Sequence, residues 1–110
     1  MKFLGICKPK DSVSMLPPAV ARQLLEMSLA GMNQLKKAGK MLEGYASPAG
    51  CFAVILEYKS AEEWLKDQTM VPILTYYTQE LYPLADMDEA MKSYLESLKA
   101  AEKMMPGAPR

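Results

Sequence analysis

The chain contains no histidine. That removes the side chain most often used as a general base near neutral pH, and with it any Ser-His-Asp or Cys-His arrangement. Only two cysteines are present, Cys7 and Cys51. Both fall in apolar stretches without spaced partners, so neither a zinc site nor a structural disulfide is expected. Net charge is absent too, because thirteen basic and thirteen acidic residues cancel. No basic block stands out, which argues against a phosphate-neutralising surface for nucleic acid. No apolar run approaches the roughly 20 residues that span a bilayer. The apolar start, Met1–Cys7, is too short for a signal peptide, and Lys8 and Lys10 follow at once, so a cytoplasmic location is expected. Gly-rich phosphate loops and metal-ligand spacings are missing, so no metal and no cofactor is expected.

What is present is an ordinary globular balance: 110 residues, half of them hydrophobic and 24% charged. That length supports one domain, placed at residues 1–105, with 106–110 as a frayed Pro- and Gly-containing tail. The longest apolar run is Cys51–Leu56. It follows a Pro-Gly turn and carries Val54 and Ile55, the mark of a strand buried on both faces. Phe3–Cys7 has the same character. Met41–Ser47 and Leu74–Tyr82 are mixed strands. In the former, Glu43, Tyr45 and Ser47 point one way and Leu42, Gly44 and Ala46 the other. The turn Ser47-Pro48-Ala49-Gly50 should return that strand antiparallel into the Cys51 strand.

Helices are predicted at about 17–38, 61–69 and 87–104. The first shows Val20, Leu24, Met27, Gly31 and Leu35 on one face and stops at Gly39. The other two begin at capping boxes, Ser60 with Glu63 and Asp86 with Glu89. Methionines 15, 27, 32, 91 and 105 fall on or beside apolar stripes and read as core filler. The order βαββαβ plus one helix is the ferredoxin-like pattern, an α+β fold with sheet order 4-1-3-2. Two crossover helices cover one sheet face. The central strands are nevertheless apolar on both sides, so the second face is expected to bury against a second copy of the chain, the alternative being a monomer whose last helix folds back over it.

The stretch from Val71 to Leu84 resembles the end of the muconolactone isomerase family. Pro72, Tyr76 and Glu80 match that family's apolar-Pro step, its following Tyr and its strand Glu. Ala49–Ala53 and Ser60–Leu65 look like its third strand and second helix, and the resemblance spans about Lys37 to Leu84. It implies a homodimeric α/β barrel and, with it, a cofactor-independent isomerase. Two departures stand out. Cys51 occupies the position of that family's His, and Leu42, Glu43 and Tyr45 occupy positions that carry basic residues there.

Without histidine, a carboxylate is the best remaining base. Glu80 is the leading candidate, with Tyr76 or Tyr45 donating a hydrogen bond to an enolate oxygen. Tyr76, Thr78, Glu80 and Tyr82 are predicted to share one face of the last strand, and Tyr77 and Gln79 the other. Thr78, Tyr77, Cys51 and Glu57 are the candidate ligand contacts. Edge strands also carry such charges simply to block edge-to-edge association. Arg22 or the Lys8/Lys10 pair would meet an acidic ligand. The residues therefore leave two readings: an enzyme acting on a small aromatic or lactone-like acid, or a non-catalytic barrel binding an apolar ligand or a partner protein.

Overall fold

Alternation along the first strand sets the sheet. The computed structural model describes residues 1–105, so the expected tail lies outside the described residues. In β1 (Lys2–Pro9), Phe3, Gly5 and Cys7 are buried while Leu4 and Ile6 on the other side are half-buried. A short 3-10 turn (Asp11–Met15) leads to α1 (Pro18–Lys37). Pro18 opens that helix where a missing N–H costs nothing. Gly39, at φ 73°, closes it. Lys40 N–H donates to Leu35 O at 2.9 Å and Gly39 N–H to Lys36 O at 3.1 Å, the paired bonds of a Schellman stop.

Strands β2 (Met41–Ala46) and β3 (Phe52–Glu57) form a hairpin. Gly50 N–H donates to Ser47 O at 2.9 Å, and Gly50 itself sits at φ 86°, where its lack of a Cβ is required. After α2 (Ala61–Asp67), 3-10 turns at Gln68–Met70 and Pro72–Tyr76 lead to β4 (Tyr77–Leu84) and α3 (Met87–Met104). Ser60 and Asp86 cap their helices as predicted, accepting from Glu63 N–H and Glu89 N–H. The fold is α+β, with three helices and one antiparallel four-stranded sheet ordered β2-β3-β1-β4. That arrangement is compatible with a ferredoxin-like fold.

The last strand begins later than expected. Leu74, Thr75 and Tyr76 belong to the 3-10 turn, because Ile73 and Leu74 plug the core beneath α1. Tertiary packing thus overrides the strand propensity of Thr and Tyr. In β2 the register shifts between Met41 and Glu43, so Met41 is buried and Leu42 is 44% exposed.

The buried face of α1 is also turned from the expected stripe. Ser28, Gly31 and Leu35 are buried, whereas Met27 is 60% exposed. The helix lies so close to the chain after α2 that a Cβ on Gly31 would stand 1.7 Å from Met70 O. Ser28 Oγ accepts from Ile73 N–H at 3.0 Å and donates to Leu24 O at 2.6 Å. Small residues govern this contact. Of the methionines read as core filler, Met15, Met27, Met91 and Met105 are exposed, and Met32 is half-buried against the core. Periodicity had assigned a face without telling whether anything covers it.

Candidate functional site

Two places collect the candidate residues, and they lie on opposite faces of the sheet. The first is a cavity of about 210 Å³ between α1 and the covered face. Cys7, Phe52 and Val54 form its floor, Leu25, Met32 and Lys36 of α1 its roof, and Trp64, Val71, Ile73 and Leu74 its end wall. Met41, Gly44, Tyr45 and Ala46 supply the β2 side. Space exists there because β2 contributes little volume. Gly44 stands opposite Val54 and Ala46 opposite Phe52. A Cβ on Gly44 would meet only Val54, at 3.7 Å. Leu25, Lys36, Gly44, Tyr45 and Ala46 are exposed, which puts the mouth between α1 and the β2 edge.

The lining is almost wholly apolar. Among the described liners Lys36 is the one charged side chain, and none is a carboxylate. Burial pushes the Cys7 thiol up to about 11, so it is a neutral, unreactive wall at physiological pH. Phe52 stacks on Tyr77 at 5.0 Å and closes the floor. Burial, with the nearby cysteines, also raises the Tyr77 phenol.

The second place is the open face. Register puts Glu43, Ile55, Leu4 and Tyr82 in one row and Tyr45, Ala53, Ile6 and Glu80 in the next. Glu80 is exposed and accepts a hydrogen bond from Tyr82 Oη, which raises the Tyr82 phenol. Across the sheet Tyr45 Oη donates to Glu43 at 3.3 Å. Three strand spacings, about 14 Å, separate Tyr45 from Glu80.

The predicted site residues therefore scatter. Thr78, Glu80 and Tyr82 do share a face, opposite Lys8, Ile6 and Leu4. Tyr76 does not join them, since it ends the 3-10 turn before the strand begins. Of the predicted set Tyr45 alone borders the cavity, at the β2 edge, while its phenol lies on the open face with Glu43. Cys51 is half-buried just before β3. Glu57 is exposed, with the N-terminal amine 3.6 Å away. Of the basic residues expected to meet an acid, Arg22 pairs with Glu26 at 2.9 Å, Lys10 donates to Thr75 O at 3.3 Å, and Lys8 is exposed on β1. Lys36, Trp64, Gly44 and Ala46 were missed. The one available signal was two small residues alternating on a single face of β2.

Beside the cavity, Lys40 Nζ lies 2.8 Å from Asp67 Oδ2, to which Tyr58 Oη also donates at 2.9 Å. Lys40, with Tyr58, holds the Asp67 carboxyl below its ordinary range. Burial, then the bond to Asp67, raises the Tyr58 phenol. This network ties the end of α1 to α2. Among the described residues no cluster of histidine, cysteine or acidic side chains is arranged to hold a metal ion. No helix among them is long and apolar enough to cross a membrane. Comparison of the chain with protein-family models and with curated proteins returns no match.

Proposed function

We propose that this protein binds a small organic acid of single-ring size in the cavity under α1. The observation that carries the reading is the cavity itself: about 210 Å³, almost wholly apolar, with Lys36 as its one charged liner. An apolar cavity of about 150 Å³ already holds benzene, and drug-sized pockets begin near 300 Å³. An aromatic or lactone-like ring fits between those limits, with its carboxylate at the Lys36 ammonium near the mouth. This agrees with the ligand class that the muconolactone isomerase resemblance implies. With no carboxylate among the described liners, binding is the reading preferred over proton abstraction.

The finer fold proposal is a dimeric α/β barrel. A second copy covers the open sheet face, whose Leu4, Ile6, Ala53 and Ile55 are only half-buried in the single chain. That packing would also take Glu80 and its donor Tyr82 out of solvent. The isomerase reading survives there as the alternative, with Glu80 as base in a desolvated interface.

Trp64 is the one tryptophan of the chain and lines the cavity, so its fluorescence reports occupancy. Benzoate should shift it saturably, whereas acetate should not. Lys36→Met should weaken benzoate about fivefold, the scale of an exposed ion pair, and leave benzyl alcohol unchanged. Gly44→Leu fills the space and should abolish both. A Trp64 signal that no ring compound moves, or benzoate affinity untouched by Gly44→Leu, overturns the reading.

A further inference from the structure

We infer that α3 pairs in parallel with α3 of a second copy of this chain, extending the association beyond the sheet; the inference rests on the dimer proposed above. Helix α3 has 18 residues and none is buried. Met87, Met91, Tyr94, Leu98, Ala101 and Met105 succeed one another at spacings of four, three, four, three and four. A period of 3.5 is the seam of a helix that packs along another helix. Tyr94 and Leu98 are each 64% exposed and Met91 58%, so the seam meets water in the single chain. Met87, at 72% exposed, continues the uncovered seam toward the start of the helix. Specific dimers bury about 1,200–2,000 Å², and pairing the arms adds the apolar surface of these side chains to that of the sheet face.

Charge selects the occupant and the direction. The polar side mixes Glu89 and Glu96 with Lys92 and Lys99 rather than presenting the Lys- and Arg-rich face that anionic lipid attracts. In an antiparallel pair centred on Leu95, Asp88 would face Glu102 of the partner subunit. In a parallel pair the flanking contacts are Ala90 with Leu95 of the partner subunit and Ser97 with Glu102 of the partner subunit, and no like charges meet. Fewer than three heptads are marginal for a free coiled coil. The arms therefore depend on the sheet faces, which hold the two copies at high effective concentration.

The full-length chain carrying Tyr94→Cys with Cys51→Ser is oxidised and examined by non-reducing electrophoresis and sedimentation equilibrium. A disulfide-linked dimer is expected at Tyr94→Cys and not at Ser93→Cys, which lies on the polar side. Leu98→Glu should weaken association at least tenfold. It should leave far-UV circular dichroism and Trp64 fluorescence unchanged, because Leu98 is exposed before any pairing. A wild-type chain that stays monomeric at micromolar concentration overturns the dimer and the pairing together. A dimer that tolerates Leu98→Glu and does not cross-link through Tyr94→Cys overturns the pairing alone. Helix α3 responding to anionic vesicles and not to a second copy overturns it in favour of a lipid surface.

Discussion

Helix α1 runs 20 residues and α3 18, and each carries a periodic apolar face, yet α1 buries three residues and α3 none. Their side chains explain the contrast. Where α1 meets the chain after α2 it presents Ser28 and Gly31, small enough for backbone to approach backbone. One of them also supplies a hydrogen-bond acceptor that the turn needs. Helix α3 presents Met, Tyr and Leu in those roles. A bulky seam suits another helix's grooves, whereas close docking on a folded segment requires gaps. Amphipathicity thus shows which face needs a partner, and the size of the residues on it shows what kind.

The sharpest way to break this comparison is at Gly31. Gly31→Ala places a Cβ 1.7 Å from Met70 O, so helix or turn must move. A loss of about 3 kcal/mol or more is expected in urea unfolding followed at Trp64. The counterpart on α3, Ala100→Leu on its exposed side away from the seam, should stay within about 0.5 kcal/mol, the range of surface changes. Equal losses at the two positions would erase the distinction between the helices.

A smaller effect is expected at Ser28, which is fully buried. Ser28→Ala leaves Ile73 N–H without its acceptor, at a cost of about 1–3 kcal/mol. Unchanged stability, with protected exchange at the Ile73 amide, would show that the hydroxyl does not hold α1 in place.

The smallest effect concerns the C-terminal end of α1, pinned through Lys40 and Asp67. Asp67→Asn should cost about 1 kcal/mol, since the pair is partly exposed. Its carboxyl is held below the ordinary 3.8, so the folded state binds that proton less readily than the unfolded chain. The contribution is therefore complete above the ordinary value and fades as pH falls through the lower folded value. Comparing wild type with Asp67→Asn across pH 2–6, a wild-type advantage that persists at the acid end would contradict the assignment.

Much of the fold was legible because it rests on local rules. The Ser60 and Asp86 caps, the Gly39 stop, the Gly50 turn and the contrast between central and edge strands follow from backbone stereochemistry and apolar runs. The candidate site was far less legible. Glu80 and Tyr45 look like a base and its donor in the sequence, but the strand order sets them on opposite edges. Lys36 lies in the last turn of α1, where a positive charge suits the helix end, and only the packing of α1 over β2 turns it toward a cavity.

By itself the sequence determined the four strands and three α-helices, where most of them start and stop, and which strands lie at the centre of the sheet, but not the 3-10 turns. Each of those depends on residues within a few positions of one another. The tertiary structure alone decided that Ser28 rather than Met27 faces inward, that Tyr76 leaves the last strand for a turn, and that the cavity opens beside Gly44 and Ala46. Those outcomes depend on how closely distant segments approach, and that distance is set by the volumes of side chains far apart in the chain.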